Sequence, residues 1–216
     1  MELINAQYRI IMVVATPQFL LKNEERLATG DFEIIEASEK ELSALGSFQT
    51  NSDVLAVAET RPNVALPIRE DEYTLVLDDI RDPGNMGTII RIADWYGFRQ
   101  IIASETSAEL YNPKTLQASM GSFTRVNVFY GDLHAFLTPF KAPVYGAFLQ
   151  GMDVHEAEFA EGGAIVIGNE SRGIRPSLEP HIDHRISIPR YGQAESLNAA
   201  IAAAVVCDNL MSRRKR

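Results

Sequence analysis

The sequence contains a single cysteine, Cys207, among its 216 residues. One cysteine cannot form an internal disulfide or supply a multi-cysteine zinc site, and its apolar surroundings favour an inert core thiol. No run of about 18 uninterrupted apolar residues occurs, which disfavours a membrane-spanning helix. The first residues also lack the basic segment and the cleavage site of a secretory signal peptide. We therefore expect a soluble cytoplasmic protein with no membrane partner.

Basic residues are outnumbered, because 20 Lys and Arg stand against 29 Asp and Glu and give a net charge of −9. Phosphate binding draws on clustered cations, so this balance argues against a protein that coats nucleic acid non-specifically. A nucleic-acid site would require basic residues to gather locally. The candidates are Arg81, Arg91, Arg99, Lys114, Arg125, Arg172, Arg175, Arg190, Arg213, Arg214, Lys215 and Arg216.

The first 62 residues have the pattern of a small α/β unit. Pro17 in a first helical turn favours a helix, and Ser38 followed by Glu41 predicts a capping box at the start of another. The strand-like runs are 8–15, 32–35 and 54–58, and the helical patterns cover 17–28 and 38–45.

The segment from Arg61 to Asp71 carries two prolines and no sustained period, which indicates a linker. We therefore predict a first domain at 1–62, a linker at 63–72 and a second domain at 73–216.

Apolar, strand-like runs alternate with helical patterns throughout the second domain. Strands that are apolar on both faces predict a mainly parallel sheet covered by helices, so the fold class is α/β. The predicted strands are 74–78, 100–104, 125–130, 144–149, 164–168 and 185–189, and the predicted helices are 86–96, 114–120, one that ends near Pro139, and 195–211.

Three strand ends are rich in glycine and polar residues, and ligands of parallel sheets bind at this edge. In the first, LDDIRDPGNMGTIIRIADWYGF, Asn85 lies in the loop and Arg91 on the helix. The segment lacks the lysine of a phosphate loop and the spacing of a dinucleotide fingerprint. Taken alone, the segment is explained better by a turn followed by an exposed helical arginine than by a binding site.

The second strand end, AIVIGNESRGI, places Gly168 where a ligand can approach the backbone and Glu170 at the mouth of a pocket. A tight turn with a solvated glutamate is the alternative. In the third, ISIPRYGQAESLNAAIAAAVV, an ordinary N-cap explains Ser196. Asn198 is a poor helix former in an alanine-rich helix, which favours a polar role for its amide.

The histidines do not indicate a metal site. His181 and His184 are three residues apart, but Asp183 is the only neighbour of a metal-ligating type, and the stretch is typical of a surface turn before a strand. No serine–histidine–aspartate arrangement with a nucleophile elbow is recognisable.

Taken together, in this order and spacing, the three segments resemble the signature motifs of the SpoU (TrmH-like) family in the SPOUT superfamily, over residues 75–209. The resemblance implies an S-adenosylmethionine-dependent RNA ribose 2'-O-methyltransferase with an α/β-knot, a deep trefoil knot that ordinary topology rules would not predict. It also implies a homodimer formed through the knot region and the last helix. The N-terminal part is similar to the small ribosomal-protein-like RNA-binding domain of relatives, shortened at its start.

Carried over position by position, the resemblance implies two sets of site residues and no metal. Ser171 and Arg190 depart from the usual glycine and methionine of the motifs. The catalytic set is Asn85, Arg91, Glu170, Ser196 and Asn198, and the cofactor-binding set is Ala147, Leu149, Gly168, Ile188 and Leu197.

In the implied reaction the protein aligns the substrates and removes a proton from a ribose hydroxyl. Arg91 is expected nearest that hydroxyl, either as an unusual base or through an RNA phosphate that it orients. Glu170 is expected to orient Arg91 or an amide. The two-domain layout favours ribosomal RNA as the partner; the alternatives are a transfer RNA 2'-O-methyltransferase and a non-catalytic RNA-binding or ribosome-assembly factor.

Overall fold

The computed structural model describes residues 2–45 and 53–213, and the chain divides into two compact units, Met1–Pro62 and Asn63–Arg216. Every expected site residue falls in the second unit. The basic residues Arg214, Lys215 and Arg216 lie outside the described residues.

The first unit is built on a three-stranded sheet in the order β2-β1-β3, with β1 parallel to β2 and antiparallel to β3. Its core includes Ile10, Val13, Ala15 and Leu27. The elements are α1 (Glu2–Asn5), β1 (Ile10–Ala15), α2 (Pro17–Lys22), α3 (Glu24–Leu27), β2 (Glu33–Glu36), α4 (Glu39–Leu45) and β3 (Val54–Ala58).

The helix starts in this unit follow local chemistry. The Ser38 N–H donates to the Glu41 carboxylate at 2.9 Å and the Glu41 N–H donates to Ser38 Oγ at 3.4 Å, so the predicted capping box is present. The single helix predicted over 17–28 is wrong, because it is divided at Asn23. The Asn23 side-chain amide donates to the Phe19 carbonyl at 2.8 Å, and such local bonds compete with helix continuation.

The second unit is a six-stranded sheet in the order β6-β5-β4-β8-β7-β9, and every pair of neighbouring strands in it is parallel. Its elements are β4 (Tyr73–Asp78), α5 (Pro83–Tyr96), β5 (Gln100–Ala103), α6 (Pro113–Ser119), β6 (Asn127–Tyr130), α7 (Leu133–Leu137), β7 (Val144–Asp153), β8 (Gly163–Gly168), β9 (His184–Ser187) and α8 (Ala199–Arg213), with 3₁₀ turns at Ser122–Thr124 and Pro176–His181.

Both faces of this sheet are buried, as the apolar strand sequences predicted. Along β4, Leu75 and Leu77 point into one core, which also holds residues of α5 and α8. The intervening Val76 points into a second core on the opposite face, with Leu133 and Leu137 of α7. The alternation follows from the period of two residues in a strand.

The strand order reverses between β4 and β8, since β5 and β6 lie on one side of β4 and β7 and β9 lie beyond β8. The two strands end level with each other, because Asp78 pairs with Gly168. Such a switch point leaves a crevice at the carboxyl ends of the strands. The first and second motifs both continue from this edge.

The beginning of the segment expected as a linker lies along the edge of the sheet. The Asn63 side chain donates to the Tyr130 carbonyl at 2.8 Å and accepts from the Tyr130 N–H at 2.8 Å. The Gln100 side chain likewise accepts from the Leu66 N–H at 3.1 Å. These residues therefore belong to the second unit.

Three element boundaries of the second unit differ from the sequence predictions by three residues or more. Helix α5 begins at Pro83, because the Asp82 carboxylate caps it by accepting from the Asn85 N–H at 2.8 Å. Strand β7 continues past the predicted end at Leu149, after an irregular stretch in which Ala147 and Met152 both pair with Ile186. The last helix begins four residues later than predicted.

Within 2–45 and 53–213, no helix is long and apolar enough to cross a membrane.

Candidate active site

The end of β4 is tied to the segment after β8 by an ion pair between a buried carboxylate and a partly exposed arginine. The Asp78 carboxylate is 1% exposed and accepts from the Arg175 backbone N–H at 2.8 Å and from its Nε at 2.6 Å. Hydrogen bonds between ionised groups are short and strong, and this pair satisfies a carboxylate that burial would otherwise penalise. The carboxylate holds the pKa of Arg175 above its ordinary value, against the opposing effect of burial.

A second connection at the same edge explains the glycine that ends β8. The Asn169 side chain donates to the Asp79 carbonyl at 2.8 Å, and its backbone closes a turn with Gly173. A Cβ atom added at Gly168 would lie 2.3 Å from the Gly173 carbonyl carbon. The chain itself therefore requires glycine here, whether or not a ligand approaches.

Three side chains from the three motifs form one hydrogen-bonded group, which we call the amide bridge: Asn85, Glu170 and Asn198. The Asn85 Nδ2 donates to Glu170 Oε1 at 2.5 Å, and the Asn198 Nδ2 donates to Asn85 Oδ1 at 2.8 Å. Asn85 is thus held at both ends of its amide. Of the two expectations for Glu170, the geometry shows contact with an amide and no bond to Arg91.

Asn198 also begins the last helix. Its Oδ1 accepts from the N–H groups of Ala200 at 2.9 Å and Ile201 at 3.2 Å, the contacts of an N-cap residue. The N-cap is therefore Asn198, and the attribution of the cap to Ser196 is wrong. Since Asn198 precedes α8, its poor helix propensity costs little there, and one amide serves both the helix and Asn85.

Arg91 and Ser196 stand apart from the amide bridge. Both are exposed, and within the part of the chain that is described neither side chain makes a hydrogen bond or an ion pair. Asn85 and Arg91 are six residues apart on one helix, which separates their side chains by about 120° around its axis. A single series of hydrogen bonds therefore joins Asn85, Glu170 and Asn198, and the Arg91 side chain takes no part in it.

The positions expected to hold the cofactor surround the ends of β7, β8 and β9. Ala147 and Ile188 are half-buried against the main core, whereas Leu149 and Leu197 are 77% and 46% exposed. In the loop 188–197, among described residues, no backbone N–H donates to a protein acceptor. Apolar side chains beside free backbone donors fit an adenosine-containing ligand that is recognised mainly through backbone groups.

Asp79 lies next to this edge with cations around it. Burial raises the pKa of its carboxyl, but hydrogen bonds from Arg81 and Thr106 and the charges of Arg81 and Arg172 lower it further, so that the pKa falls below the usual aspartate range. Arg81 Nε contacts the carboxylate at 2.8 Å. Two of the basic residues that the sequence analysis singled out therefore gather here.

The histidines have neighbours other than a metal ion. His181 Nε2 lies 3.2 Å from His134 Nδ1, and the His184 ring stacks on Tyr145 with centroids 4.9 Å apart. Over residues 2–45 and 53–213, no three His, Cys, Asp or Glu side chains are grouped so that they could hold a metal ion.

Sequence reasoning did not identify Asp78 or Arg175 as a pair, although both shape this edge. They are 97 residues apart, so no local pattern joins them. A carboxylate that ends a wholly apolar strand was the available signal for Asp78, since a buried charge requires a partner.

The second unit is thus an α/β domain with a wholly parallel sheet, in which the amide bridge joins the three polar strand ends at one edge. Residues 72–208 match the family model described as SpoU rRNA Methylase family. The chain belongs to this family.

Named relatives agree with this assignment. The chain is 34% identical to the 23S rRNA (guanosine(2553)-2'-O)-methyltransferase RlmP of Bacillus subtilis over 201 residues, 89% of this chain and 79% of that enzyme. It is 31% identical to a 23S rRNA (uridine(2479)-2'-O)-methyltransferase of Streptomyces viridochromogenes, over 69% of this chain and 55% of that enzyme.

A solved structure of similar fold carries a bound ligand. The SpoU methyltransferase AviRb of Streptomyces viridochromogenes, in complex with the cofactor AdoMet, superposes with a TM-score of 0.87 at 27% identity, over 99% of this chain and 86% of that one. A putative RNA methyltransferase of the TrmH family from Porphyromonas gingivalis superposes with a TM-score of 0.82 at 34% identity, over 98% and 86% of the two chains.

Proposed function

We propose that this protein transfers a methyl group from S-adenosylmethionine to a ribose 2'-hydroxyl of 23S ribosomal RNA. The observation that carries the proposal is the amide bridge, which joins one residue from each family motif at the switch point of the sheet. Relatives named as 23S rRNA 2'-O-methyltransferases, and an AdoMet complex of the same fold, support the substrate and the cofactor.

The cofactor, when bound, supplies a methyl group on a sulfonium with a good leaving group, and the chain supplies alignment and proton removal. Gly168 and the free backbone donors of 188–197 hold the cofactor's polar groups, and the apolar side chains enclose its remaining surface. Those side chains are Ala147, Leu149, Ile188 and Leu197.

The amide bridge fixes the wall of the site against which the ribose lies. Arg91 binds an RNA phosphate and brings its oxygen to the 2'-hydroxyl, whose proton that oxygen accepts. This assignment keeps the guanidinium protonated, as it is in proteins generally. Ser196, which is exposed near Asn198, donates its hydroxyl hydrogen bond to the same ribose.

Basic side chains beside the site provide contacts to the RNA backbone. Arg81 and Arg172 both face the neighbourhood of Asp79, and cations of this kind fix the register of a nucleic acid without reading its sequence. Residues 1–62 form the RNA-binding domain of the proposal, and 63–72 and 73–216 form the linker and the methyltransferase domain.

The trefoil knot and the homodimer also belong to the proposal. Strand β9 pairs with β7 at the edge of the sheet, whereas α8, which follows it, packs against α5 and β8. The chain therefore returns from the edge to the centre beside the irregular stretch of β7, which supports a knot.

Exposed Tyr191, Leu197 and Ile201 support a dimer interface at the start of α8. A ribosomal RNA substrate implies a cytoplasmic location.

The first test is calorimetric titration of the full chain with S-adenosylmethionine and with S-adenosylhomocysteine, because it does not require knowledge of the RNA. Binding at micromolar strength is expected. The chain is then incubated with unmodified 23S rRNA and with a transfer RNA pool, using a cofactor with a labelled methyl group, and the methylated nucleotide is mapped.

A labelled 2'-O-methyl nucleotide in 23S rRNA supports the proposal. Label only in transfer RNA would mean that the reaction is as proposed but that the substrate is transfer RNA. Absence of binding to both ligands would contradict the enzyme assignment and favour a non-catalytic RNA-binding factor.

A further inference from the structure

Asp79, the residue that follows β4, has a backbone conformation that residues other than glycine rarely adopt. Its φ is 61°, in the left-handed region, where a side chain is strained. Backbone strain of this kind persists only where the surrounding structure imposes it, and it is concentrated at functional sites. The contacts of Asp79 therefore show what the strained turn achieves.

The turn is held from two neighbouring strand ends. The Asp79 N–H donates to Ser104 Oγ at 2.9 Å, and the Asp79 carbonyl accepts from the Asn169 side chain at 2.8 Å. Ser104 Oγ lies 3.0 Å from Ser107 Oγ, which accepts from the Ile80 N–H at 3.1 Å. Ser104 directly follows β5 and Asn169 directly follows β8. The ends of both strands that flank β4 therefore fix this turn.

The turn directs the Asp79 carboxylate at Arg81. The Arg81 Nε donates to its Oδ1 at 2.8 Å, and the side chains of Asp79 and Arg81 are 15% and 59% exposed. The Thr106 hydroxyl donates a further hydrogen bond to this carboxylate, and the charge of Arg172 acts on it as well. Two cations thus share one carboxylate that is largely removed from solvent.

The contact through Nε leaves the outer side of the Arg81 guanidinium open. In the described part of the chain, neither Nη group of Arg81 makes a hydrogen bond or an ion pair. A guanidinium is a rigid fork of five donors, so a carboxylate at Nε orients it and leaves both Nη groups for a phosphate. Arg81 precedes Asp82, the N-cap of α5, and lies four residues before Asn85 of the amide bridge.

The same carboxylate removes positive charge from this edge of the sheet. Arg81 and Arg172 present two positive charges, and Asp79 cancels one of them. Attraction that arises from charge alone is independent of RNA sequence, whereas a cation held in a fixed place sets the register of the RNA backbone. Asp79 therefore lowers non-specific attraction while it holds Arg81 in one orientation.

We propose that Asp79 is a positioning residue for RNA binding, which holds Arg81 through Nε so that the Nη groups receive one phosphate of the substrate. By cancelling one positive charge, Asp79 also limits the binding of RNA that does not fit this geometry. The inference rests on the proposed function and adds to it the residue that sets one backbone contact. Asp79 acts through Arg81 and not on the reacting atoms.

Asp79→Asn is the first test, because asparagine also tolerates the left-handed conformation but carries no charge. Binding of the full chain to a labelled, unstructured oligoribonucleotide of mixed sequence is measured by fluorescence anisotropy at several salt concentrations, with S-adenosylhomocysteine present. The slope of log affinity against log salt is expected to steepen by about 0.7, the value for one more phosphate contact on a single strand.

Competition with unmodified 23S rRNA measures selectivity in the same assay. In Asp79→Asn the preference for 23S rRNA over the oligoribonucleotide is expected to fall roughly 10-fold, the effect of losing one aligned hydrogen bond between charged groups. Asp79→Gly also accepts the observed φ and should reproduce both changes. Asp79→Ala keeps the backbone strain without the carboxylate, so its Tm should be the lowest of the three variants.

Arg81→Gln shows whether Asp79 acts through Arg81. It should lower the preference for 23S rRNA as well, and Asp79→Asn added to it should cause little further loss, because residues that act together are not additive. Losses that simply add overturn the inference, as do an unchanged salt slope and an unchanged preference in Asp79→Asn and Asp79→Gly.

The outcome for the proposed function is separate. If the parent protein binds RNA but transfers no methyl group to it, the proposed function fails, and the salt slopes still decide the role of Asp79. A parent protein that binds neither RNA overturns both.

Discussion

Helix α5 carries Asn85 of the amide bridge and also an exposed side with Arg91 and Trp95, the outward face of α5, and the two differ in how they are held. In the bridge, Asn85 is bonded at both ends of its amide, to Glu170 and to Asn198. On the outward face, the side chains of Arg91 and Trp95 have no polar partner within 2–45 and 53–213, and both are exposed. Groups that are already paired cannot follow a substrate without losing a bond, so in the proposed function the bridge sets the geometry and the unpaired Arg91 side chain binds the RNA phosphate.

The largest effect is expected at Arg91, where the comparison predicts a loss of activity without a loss of stability. Arg91→Ala should lower methyl transfer by about 1,000-fold, within the range of positioned proton-transfer groups, because it removes the phosphate contact that brings the acceptor to the hydroxyl. Tm should not change, since Arg91 contributes no bond to the fold. Single-turnover methylation of 23S rRNA and a thermal melt measure the two quantities.

Arg91→Lys is the matched control, because it keeps the charge but not the two-pronged geometry of the guanidinium. Its activity should lie between those of the parent and of Arg91→Ala. Full activity in Arg91→Ala would mean that the outward face takes no part in the reaction.

Breaking the bridge in its middle should affect both properties. Asn85→Ala leaves the Glu170 carboxylate and the Asn198 amide without their partner, and a displaced site wall is expected to slow transfer roughly 100-fold. Loss of these half-buried bonds should destabilise the fold by about 1 kcal/mol, or some 2–4 °C in Tm.

Glu170→Gln is the control for the bridge, since its amide oxygen can still accept from Asn85. It should retain more activity than Asn85→Ala and nearly all the stability. If Asn85→Ala melted like the parent, the bridge would not stabilise the site as the comparison requires.

The two tasks of Asn198 can be separated. Asn198→Ser keeps an N-cap oxygen for α8 but cannot reach Asn85, so it should reduce methylation about 10-fold at nearly unchanged Tm. Asn198→Ala should also destabilise the protein by about 1 kcal/mol, because it removes the cap. Equal melting of the two variants would show that the cap contributes nothing, and equal activity of Asn198→Ser and the parent would show that the Asn85 contact is dispensable.

The smallest effect is expected when Asp94, the carboxylate beside the outward face of α5, loses its partner Arg125. Burial raises the pKa of Asp94, but hydrogen bonds from Arg125 and Ser122 outweigh it, so the pKa lies below the usual aspartate value. A carboxyl of this kind stabilises the fold above its unfolded pKa, and that contribution is lost as the pH falls through its folded value. Arg125→Gln should raise the pKa of Asp94 in an NMR titration and shrink this acid-dependent stability. It should also weaken RNA binding slightly, since a free anion then borders Arg91; an unmoved pKa would rule out the pairing.

The central strands were predictable because burial on both faces leaves continuous apolar runs such as those of β4 and β8. The true start of α5 was also readable, since Asp82 followed by Pro83 is a typical N-cap and first turn. The start of α8 could not be predicted, because Ser196 and Asn198 are both good N-cap residues. What distinguishes Asn198 is its contact with Asn85, which lies 113 residues away in the sequence.

The candidate site was predictable as a set of positions but not as an arrangement. The resemblance placed Asn85, Arg91 and Asn198 together without saying which of them touch. Only the helix register, fixed by the cap at Asp82, separates Arg91 from Asn85 around the axis.

The contact between Asn63 and Tyr130 bears on how the edge of the large sheet is closed to other strands. Strand β6 is an edge strand, and such an edge offers unpaired backbone groups to strands of other molecules. The Asn63 amide occupies both the N–H and the carbonyl of Tyr130, at 2.8 Å each, as a neighbouring strand would. At Tyr130, one side chain thus occupies both backbone groups that a strand from another molecule would need for pairing.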